Sequence, residues 1–188
     1  TWPAFLPKQA RDELYSGDAL LADVFAPMGK VTDDPDGKGY RISGYWNFCS
    51  GVLWSDWIAL GAVHKMRDGT EPELGLFIVH KKDTEIVKNW DPIGLRGTGS
   101  HGVKVEDVYF PADKVFLVER VVKGATAPDG NYDKNYQIFN VPYLIYFFSG
   151  FQHVAIGALE RLVRDFEEKT KNRIRIYTRN ASEKDNSS

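Results

Sequence analysis

Two short stretches concentrate the residues that can do chemistry. The first, Gly44-Tyr45-Trp46-Asn47-Phe48-Cys49-Ser50-Gly51, sets small residues directly behind bulky aromatics. At a strand end such a step lets a planar ligand approach the backbone, because glycine and serine leave little side chain in its way. The second, Trp90-Asp91-Pro92-Ile93-Gly94-Leu95-Arg96-Gly97-Thr98-Gly99-Ser100-His101, holds three glycines within six residues. A loop of that composition exposes backbone N–H groups and gathers guanidinium, hydroxyl and imidazole side chains. Composition alone also fits plain turns at both places, with Trp46 and Trp90 in the core. Gly97-x-Gly99 is not a dinucleotide fingerprint, since a strand-like run follows it rather than a helix.

The elements around these stretches are mostly strands. A weak helical pattern over 4–14 ends at Ser16-Gly17-Asp18, and the period then changes. ALLADVF (19–25), YRISGYWNF (40–48), DWIALGAVH (56–64), ELGLFIVH (73–80), TEIVKNW (84–90) and VKVEDVYF (103–110) are rich in β-branched and aromatic residues, with turn residues between them. Short strands at such spacing, without intervening helices, predict an antiparallel barrel or sandwich. Residues 117–140 hold Gly, Pro, Asp and Asn in quantity and read as a connection. From Pro142 onward Phe151, Ala155, Ala158, Leu159, Leu162, Phe166, Ile174 and Tyr177 recur at helical spacing, with charges on the other side. The expected class is therefore α+β: a central β domain, then a long helix that opens a C-terminal bundle. The expected parts are 1–16, the end of an N-terminal helical domain; 17–120, the β domain; 121–141, a linker; and 142–188, the first bundle helix.

Composition narrows the classes. The chain has 188 residues, 43% of them apolar and 13% aromatic, which supports a sizeable core. Lys plus Arg number 24 against 26 Asp plus Glu, so the basic excess of a nucleic-acid binder is missing. The longest apolar run, Val141 to Phe148, spans eight residues and contains Pro142, too short to cross a membrane. The single cysteine, Cys49, cannot form an internal disulfide and fits a reducing, cytoplasmic setting. The first residues show no signal peptide, and the chain reads as a piece of a longer one.

The motifs GYRISGYWNFCSG (39–51) and WDPIGLRGTGSHGVKVEDVYFP (90–111), in this order with a strand-rich interval, resemble the group D flavin monooxygenases. These are oxygenase components of two-component systems, such as 4-hydroxyphenylacetate 3-hydroxylase, 3-HSA hydroxylase and dibenzothiophene monooxygenase, and they share the acyl-CoA dehydrogenase fold. DVFAPMG (23–29) is similar to the family's first flavin-side strand, and GFQHVAIGALERL (150–162) to the opening helix of its bundle. The resemblance covers about residues 5–175.

The resemblance implies an enzyme that takes reduced FMN or FAD from a separate NAD(P)H:flavin reductase. With O2 it forms a C4a-hydroperoxide and oxygenates a small aromatic or heteroaromatic substrate. Such chemistry needs a dry site with hydrogen bonds to the flavin N5 edge. Ser50 stands where the family places a serine for that task, and is the implied catalytic residue. Phe25, Ala26, Trp46, Asn47, Phe48, Cys49, Trp90, Arg96, Gly97 and Thr98 are the implied flavin neighbours. Gly99, Ser100 and His101 are implied to face substrate or shape the loop. The intact enzyme is implied to be a homotetramer, with its acid–base histidines on flanking helical domains.

Two other readings remain open. An acyl-CoA dehydrogenase would carry Thr-Glu-Pro and Gly-Ser-Asp near its first flavin strand, where this chain has Phe25-Ala26-Pro27-Met28-Gly29-Lys30. Alternatively, the chain is a non-catalytic β-domain piece. His64, His80 and His153 read as surface or helix residues without metal-ligand spacing, and no metal site is expected.

Overall fold

Alternation of apolar and polar residues begins at Leu21, and the strand that starts there organises the rest. In the computed structural model, which describes residues 2–119 and 143–171, β1 runs over Leu21–Asp33. It is longer than the run of alternation because it serves two partners. Residues Leu21 to Val24 pair in parallel with β3 (Trp57–His64), Leu21 opposite Trp57. Lys30 to Asp33 pair antiparallel with β2 (Gly39–Cys49), Asp33 opposite Tyr40. Between Val24 and Gly29 the register with β3 shifts.

The remaining strands extend both sides: β4 (Glu73–His80), β5 (Glu85–Val87), β6 (His101–Pro111) and β7 (Val115–Leu117). Together they form one seven-stranded sheet in the order β5-β6-β2-β1-β3-β4-β7. Two corrections follow. The sheet is mixed rather than antiparallel, because the chain leaves β2 through residues 50–56 and returns on the far side of β1, running with it. The sheet is also open, with β5 and β7 at its edges, so no barrel closes.

The two ends of the sheet nevertheless share one core. Phe77 of β4 meets Phe110 of β6 edge-on, ring centroids 5.4 Å apart. Trp46 of β2, wholly buried, donates its indole N–H to the Gly61 carbonyl of β3 at 2.9 Å. Its ring fills the space in front of Gly29 and Gly44, where a Cβ would collide with the indole. Val103 and Val105 of β6 are buried while Lys104 and Glu106 are exposed, the alternation of a half-buried strand.

β5 stops at Val87, short of the strand expected to reach Trp90. The Asn89 side chain takes over the next bond to β6, its Oδ1 accepting from the Gly102 amide at 2.8 Å. Ahead of the sheet, a 3-10 turn (Trp2–Phe5) and α1 (Lys8–Leu14) occupy the weakly helical segment. Trp2 fixes that segment by donating to Asp23 at 2.9 Å and packing on Phe116.

The second compact unit holds α2 (Tyr143–Lys171). Its apolar residues Phe151, Leu159, Leu162 and Phe166 are exposed. The expected linker and the stripe positions Ile174 and Tyr177 lie outside the described residues. No helix among the described residues is long and apolar enough to cross a membrane.

Candidate functional site

The site begins with an irregularity in β2. Trp46 pairs with Val103 and Cys49 with His101, so Asn47 and Phe48 together stand against Gly102 alone. This is a β-bulge, and its second residue, Phe48, adopts a left-handed backbone with φ 67°. A non-glycine residue there is strained, by an amount on the order of 1–3 kcal/mol. The bulge turns the Phe48 ring outward, 69% exposed, where its centroid lies 6.0 Å from that of Trp90 in an edge-on arrangement.

Trp90 is held at both ends. Its backbone N–H donates to Nδ1 of His101 at 3.1 Å, and its indole N–H donates to the Leu95 carbonyl at 3.1 Å. Leu95 is itself left-handed, φ 57°, and starts the 3-10 turn Arg96–Thr98. The same carbonyl accepts from the Thr98 amide at 3.1 Å and the Thr98 hydroxyl at 2.9 Å.

The two chemistry-bearing stretches meet here. The Gly51 amide donates to the Thr98 carbonyl at 2.8 Å. The exposed Ser50 hydroxyl lies 2.8 Å from that of Ser100, and Ser100 lies 2.6 Å from that of Thr98. Ser100 is buried and Gly99, φ 52°, presses on Leu53 and Trp54, so this part of the loop is fixed from beneath. On the other flank Asn47 accepts from the Tyr45 hydroxyl and from Asn89, each at 2.9 Å. Arg96 pairs with Asp91 at 2.8 Å, both largely exposed. Such a pair is worth at most about 1 kcal/mol, so its guanidinium is free to exchange toward an anionic ligand.

Not every implied flavin neighbour comes to this place. Trp46 is a core residue whose indole is already spent on Gly61. The Cys49 side chain also points into the core, and burial, with the charge of Asp23 second, pushes its thiol up to about 12. Both side chains are therefore withdrawn as ring contacts. Phe25 and Ala26 sit at the register shift of β1, their carbonyls against Gly61; the bonds that knit the paired turns run through other residues. Gly97 and Gly94 have open space where a Cβ would stand. Asn89 and Trp54, outside the two chemistry-bearing stretches, also shape the site, where an Asn and a Trp carry no distinguishing pattern in the sequence, and Leu95 within the second stretch adds the carbonyl on which the turn closes.

The histidines separate by role. His101 orients Trp90. His64 faces Asp33 at 3.4 Å, His80 accepts from the Lys82 amide, and His153 lies 2.6 Å from the Ser149 carbonyl. No metal-holding cluster of His, Cys, Asp and Glu occurs among the described residues.

This donor set fits a planar heteroaromatic group. Exposed Phe48, half-buried Trp90 and exposed Leu95 offer apolar surface, Ser50 offers a hydroxyl at its edge, and Arg96 offers a cation.

The chain is similar to flavin-dependent monooxygenase oxygenase components over part of their length. The oxygenase component of p-hydroxyphenylacetate 3-hydroxylase from Acinetobacter baumannii is 32% identical over 177 residues, 93% of this chain and 41% of that protein. The crystal structure of 3-HSA hydroxylase from Rhodococcus sp. RHA1 superposes with a TM-score of 0.65 at 30% identity, covering 76% of this chain and 36% of that one. XiaF from Streptomyces sp., solved in complex with FADH2 and glycerol, gives a TM-score of 0.55 at 34% identity over 63% of this chain and 30% of its own. The chain thus spans about two fifths of the length of the curated relatives it matches first. No protein-family model matches it.

Proposed function

We propose that this chain forms the flavin-edge wall of the oxygenase component of a two-component flavin-dependent monooxygenase. The observation that carries the reading is the exposed Ser50 hydroxyl, anchored to Ser100 and Thr98 beside the outward-facing Phe48 and Trp90. Reduced flavin, when bound, supplies the two electrons that activate O2 for insertion of one oxygen atom into substrate. Ser50 meets the N5 edge of the ring. Phe48 and Trp90 shield that edge from water, which keeps the hydrogen bond strong by lowering the local dielectric. Asn47 borders the same edge, and Arg96 with the Gly97 amide attracts negative charge. Phe25 and Ala26 line the flavin from β1.

The substrate class that fits is a small aromatic or heteroaromatic compound, as the names of the relatives suggest. A separate NAD(P)H:flavin reductase supplies reduced FMN or FAD, and the intact enzyme is a cytoplasmic homotetramer; the names of relatives as oxygenase components support the reductase.

The test is an anaerobic titration of the 188-residue chain with photoreduced FMN and FAD, followed by flavin and tryptophan fluorescence. Saturable binding that weakens in Ser50→Ala is expected. Absence of saturable binding by either flavin overturns the assignment of a flavin wall to this chain.

A further inference from the structure

We propose that Asn89 is a positioning residue of the candidate site: its carboxamide clasps the β2 bulge to β6 and so holds Phe48 and Ser50 where the ligand arrives. What concerns flavin in this rests on the reading above; the clasp itself rests on geometry alone.

The clasp crosses three neighbouring strands, β5, β6 and β2. Asn89 lies two residues beyond Val87, where β5 ends. Its Oδ1 accepts from the Gly102 amide of β6 at 2.8 Å. Its Nδ2 donates to the Tyr45 hydroxyl and to the Asn47 side-chain oxygen, both on β2 and each at 2.9 Å. Such a reach over β6 needs an empty position in that strand, and Gly102 provides it. A Cβ there would stand 2.6 Å from the Tyr45 hydroxyl. Gly102 is also the residue that faces both Asn47 and Phe48 across the bulge.

Donors and acceptors leave one arrangement. A backbone N–H can only donate, so the Asn89 atom that faces Gly102 is its oxygen. The amide nitrogen then faces β2, and its two hydrogens need two acceptors. Tyr45 supplies a lone pair for one and sends its own proton to Asn47 at 2.9 Å. The Asn47 atom that receives both Tyr45 and Asn89 is therefore its oxygen. The Gly102 amide thus sets the direction of every bond in the set.

The bulge needs such a hold. Phe48 is left-handed, φ 67°, a conformation that a residue with a side chain keeps only where its surroundings over-determine it. Asn47, the residue just before it, is the one the clasp grips. Trp90, the residue just after Asn89, is tied to the same end of β6, its N–H donating to His101 Nδ1 at 3.1 Å. The clasp therefore fixes the segments that carry Phe48 and Trp90 against one another, and their rings meet edge-on at 6.0 Å. Asn89 acts on the ligand through these residues and through Ser50, without touching it.

Cys49, which follows Phe48 and is wholly buried, reports on the bulge. The test measures its reaction with the thiol reagent DTNB in wild type, Asn89→Leu and Asn89→Asp across low urea concentrations. Thermal unfolding and reduced-flavin binding of each are measured alongside. Asn89→Leu keeps the size of the side chain and removes its bonds to Gly102, Tyr45 and Asn47. Its thiol is expected to react about tenfold faster than that of wild type, the worth of one strong or two weak neutral hydrogen bonds. The rate should stay nearly flat in urea, because the opening is local. Asn89→Asp still accepts from Gly102 and, once the Asn47 amide turns over, from Asn47 and Tyr45 as well, so it restores the slow rate. Reduced-flavin affinity falls in Asn89→Leu and returns in Asn89→Asp. Ile58→Val, which trims the buried core on β3, is the control for global stability. Its thiol rate rises only with the steep urea dependence of complete unfolding.

An unchanged thiol rate in Asn89→Leu overturns the clasp. So does an acceleration as steep in urea as that of Ile58→Val, or one that Asn89→Asp shares in full. Lost thiol protection with reduced flavin bound as tightly as by wild type overturns the positioning role. The thiol rates need no flavin, so they decide the clasp even where wild type binds neither flavin form and the flavin wall falls. Should Asn89→Leu unfold, Tyr45→Phe, which removes only the hydroxyl from the set, carries the comparison.

Discussion

The amide of Gly51 donates to the carbonyl of Thr98 at 2.8 Å, and this one backbone bond joins the turn after β2 to the glycine-rich turn before β6. Side-chain bonds between Ser50, Ser100 and Thr98 depend on that alignment, so the site is as precise as the pairing of the two turns. Exposed loops are usually mobile; this pair is held by a backbone bond and by the packing of Gly99 on Leu53 and Trp54.

Gly99 is accordingly a sensitive position. Gly99→Ala places a methyl 3.2 Å from Leu53 and Trp54 and imposes a left-handed conformation on a residue with a side chain. A loss of about 1–2 kcal/mol in urea denaturation is expected from the backbone alone. Reduced-flavin affinity should fall in the folded protein as well. Full affinity at native stability contradicts the role given to this turn.

Trp46 should behave as core. Trp46→Ala removes a fully buried ring and leaves the Gly61 carbonyl without its donor, a cost of about 3–5 kcal/mol. Once corrected for the unfolded fraction, flavin affinity should match wild type. A specific affinity loss with little destabilisation returns Trp46 to the ligand.

Trp90 should behave in the opposite way. Trp90→Ala loses an edge-on contact with Phe48 and one hydrogen bond to Leu95 at the rim of the site. Reduced-flavin binding is expected to weaken about tenfold, comparable to one aromatic contact, while the melting temperature moves little. Unaltered affinity with a large drop in melting temperature makes Trp90 a structural residue.

Cys49 predicts an alkaline limit to stability. Its folded thiol is pushed up to about 12 by burial, while an unfolded thiol ionises at about 8.5. A raised folded value means the stabilisation is fully present below the unfolded pKa. It is lost as pH climbs from there toward the folded one, at up to about 1.4 kcal/mol per pH unit. Denaturation midpoints for wild type should fall over that window and those for Cys49→Ala should not show this component. The native thiol should also resist disulfide-exchange reagents until the protein unfolds.

Much of this architecture is legible in the chain, and the failures have physical causes. Val103, Lys104, Val105 and Glu106 announce a half-buried strand because each side chain's burial is set by its own position in the pleat. The two chemistry-bearing stretches are visible by composition, but their meeting is not. It depends on β2 pairing with β6 across some fifty intervening residues. Trp46 beside Gly44 misleads because glycine makes room for a ring in either case, and here the ring is the protein's own indole. The doubling of β1 is hidden by Ala26-Pro27-Met28, where alternation fails just as the strand changes partners.

The bulge at Asn47 and Phe48 has an arithmetic consequence. Along a regular strand, side chains two apart share a face. Counting outward from buried Trp46, an unbroken β2 places Phe48 and Ser50 inside and Asn47 and Cys49 outside. The extra residue resets odd and even: Cys49 turns in, and Ser50 turns out. Were β2 to pair residue for residue through this point without the bulge, the two heteroatoms would exchange, sealing the hydroxyl in the core and setting an oxidisable sulfur at the edge of the candidate site. Whether the ladder absorbs one residue as a bulge thus decides which element of the periodic table, oxygen or sulfur, faces outward at this place.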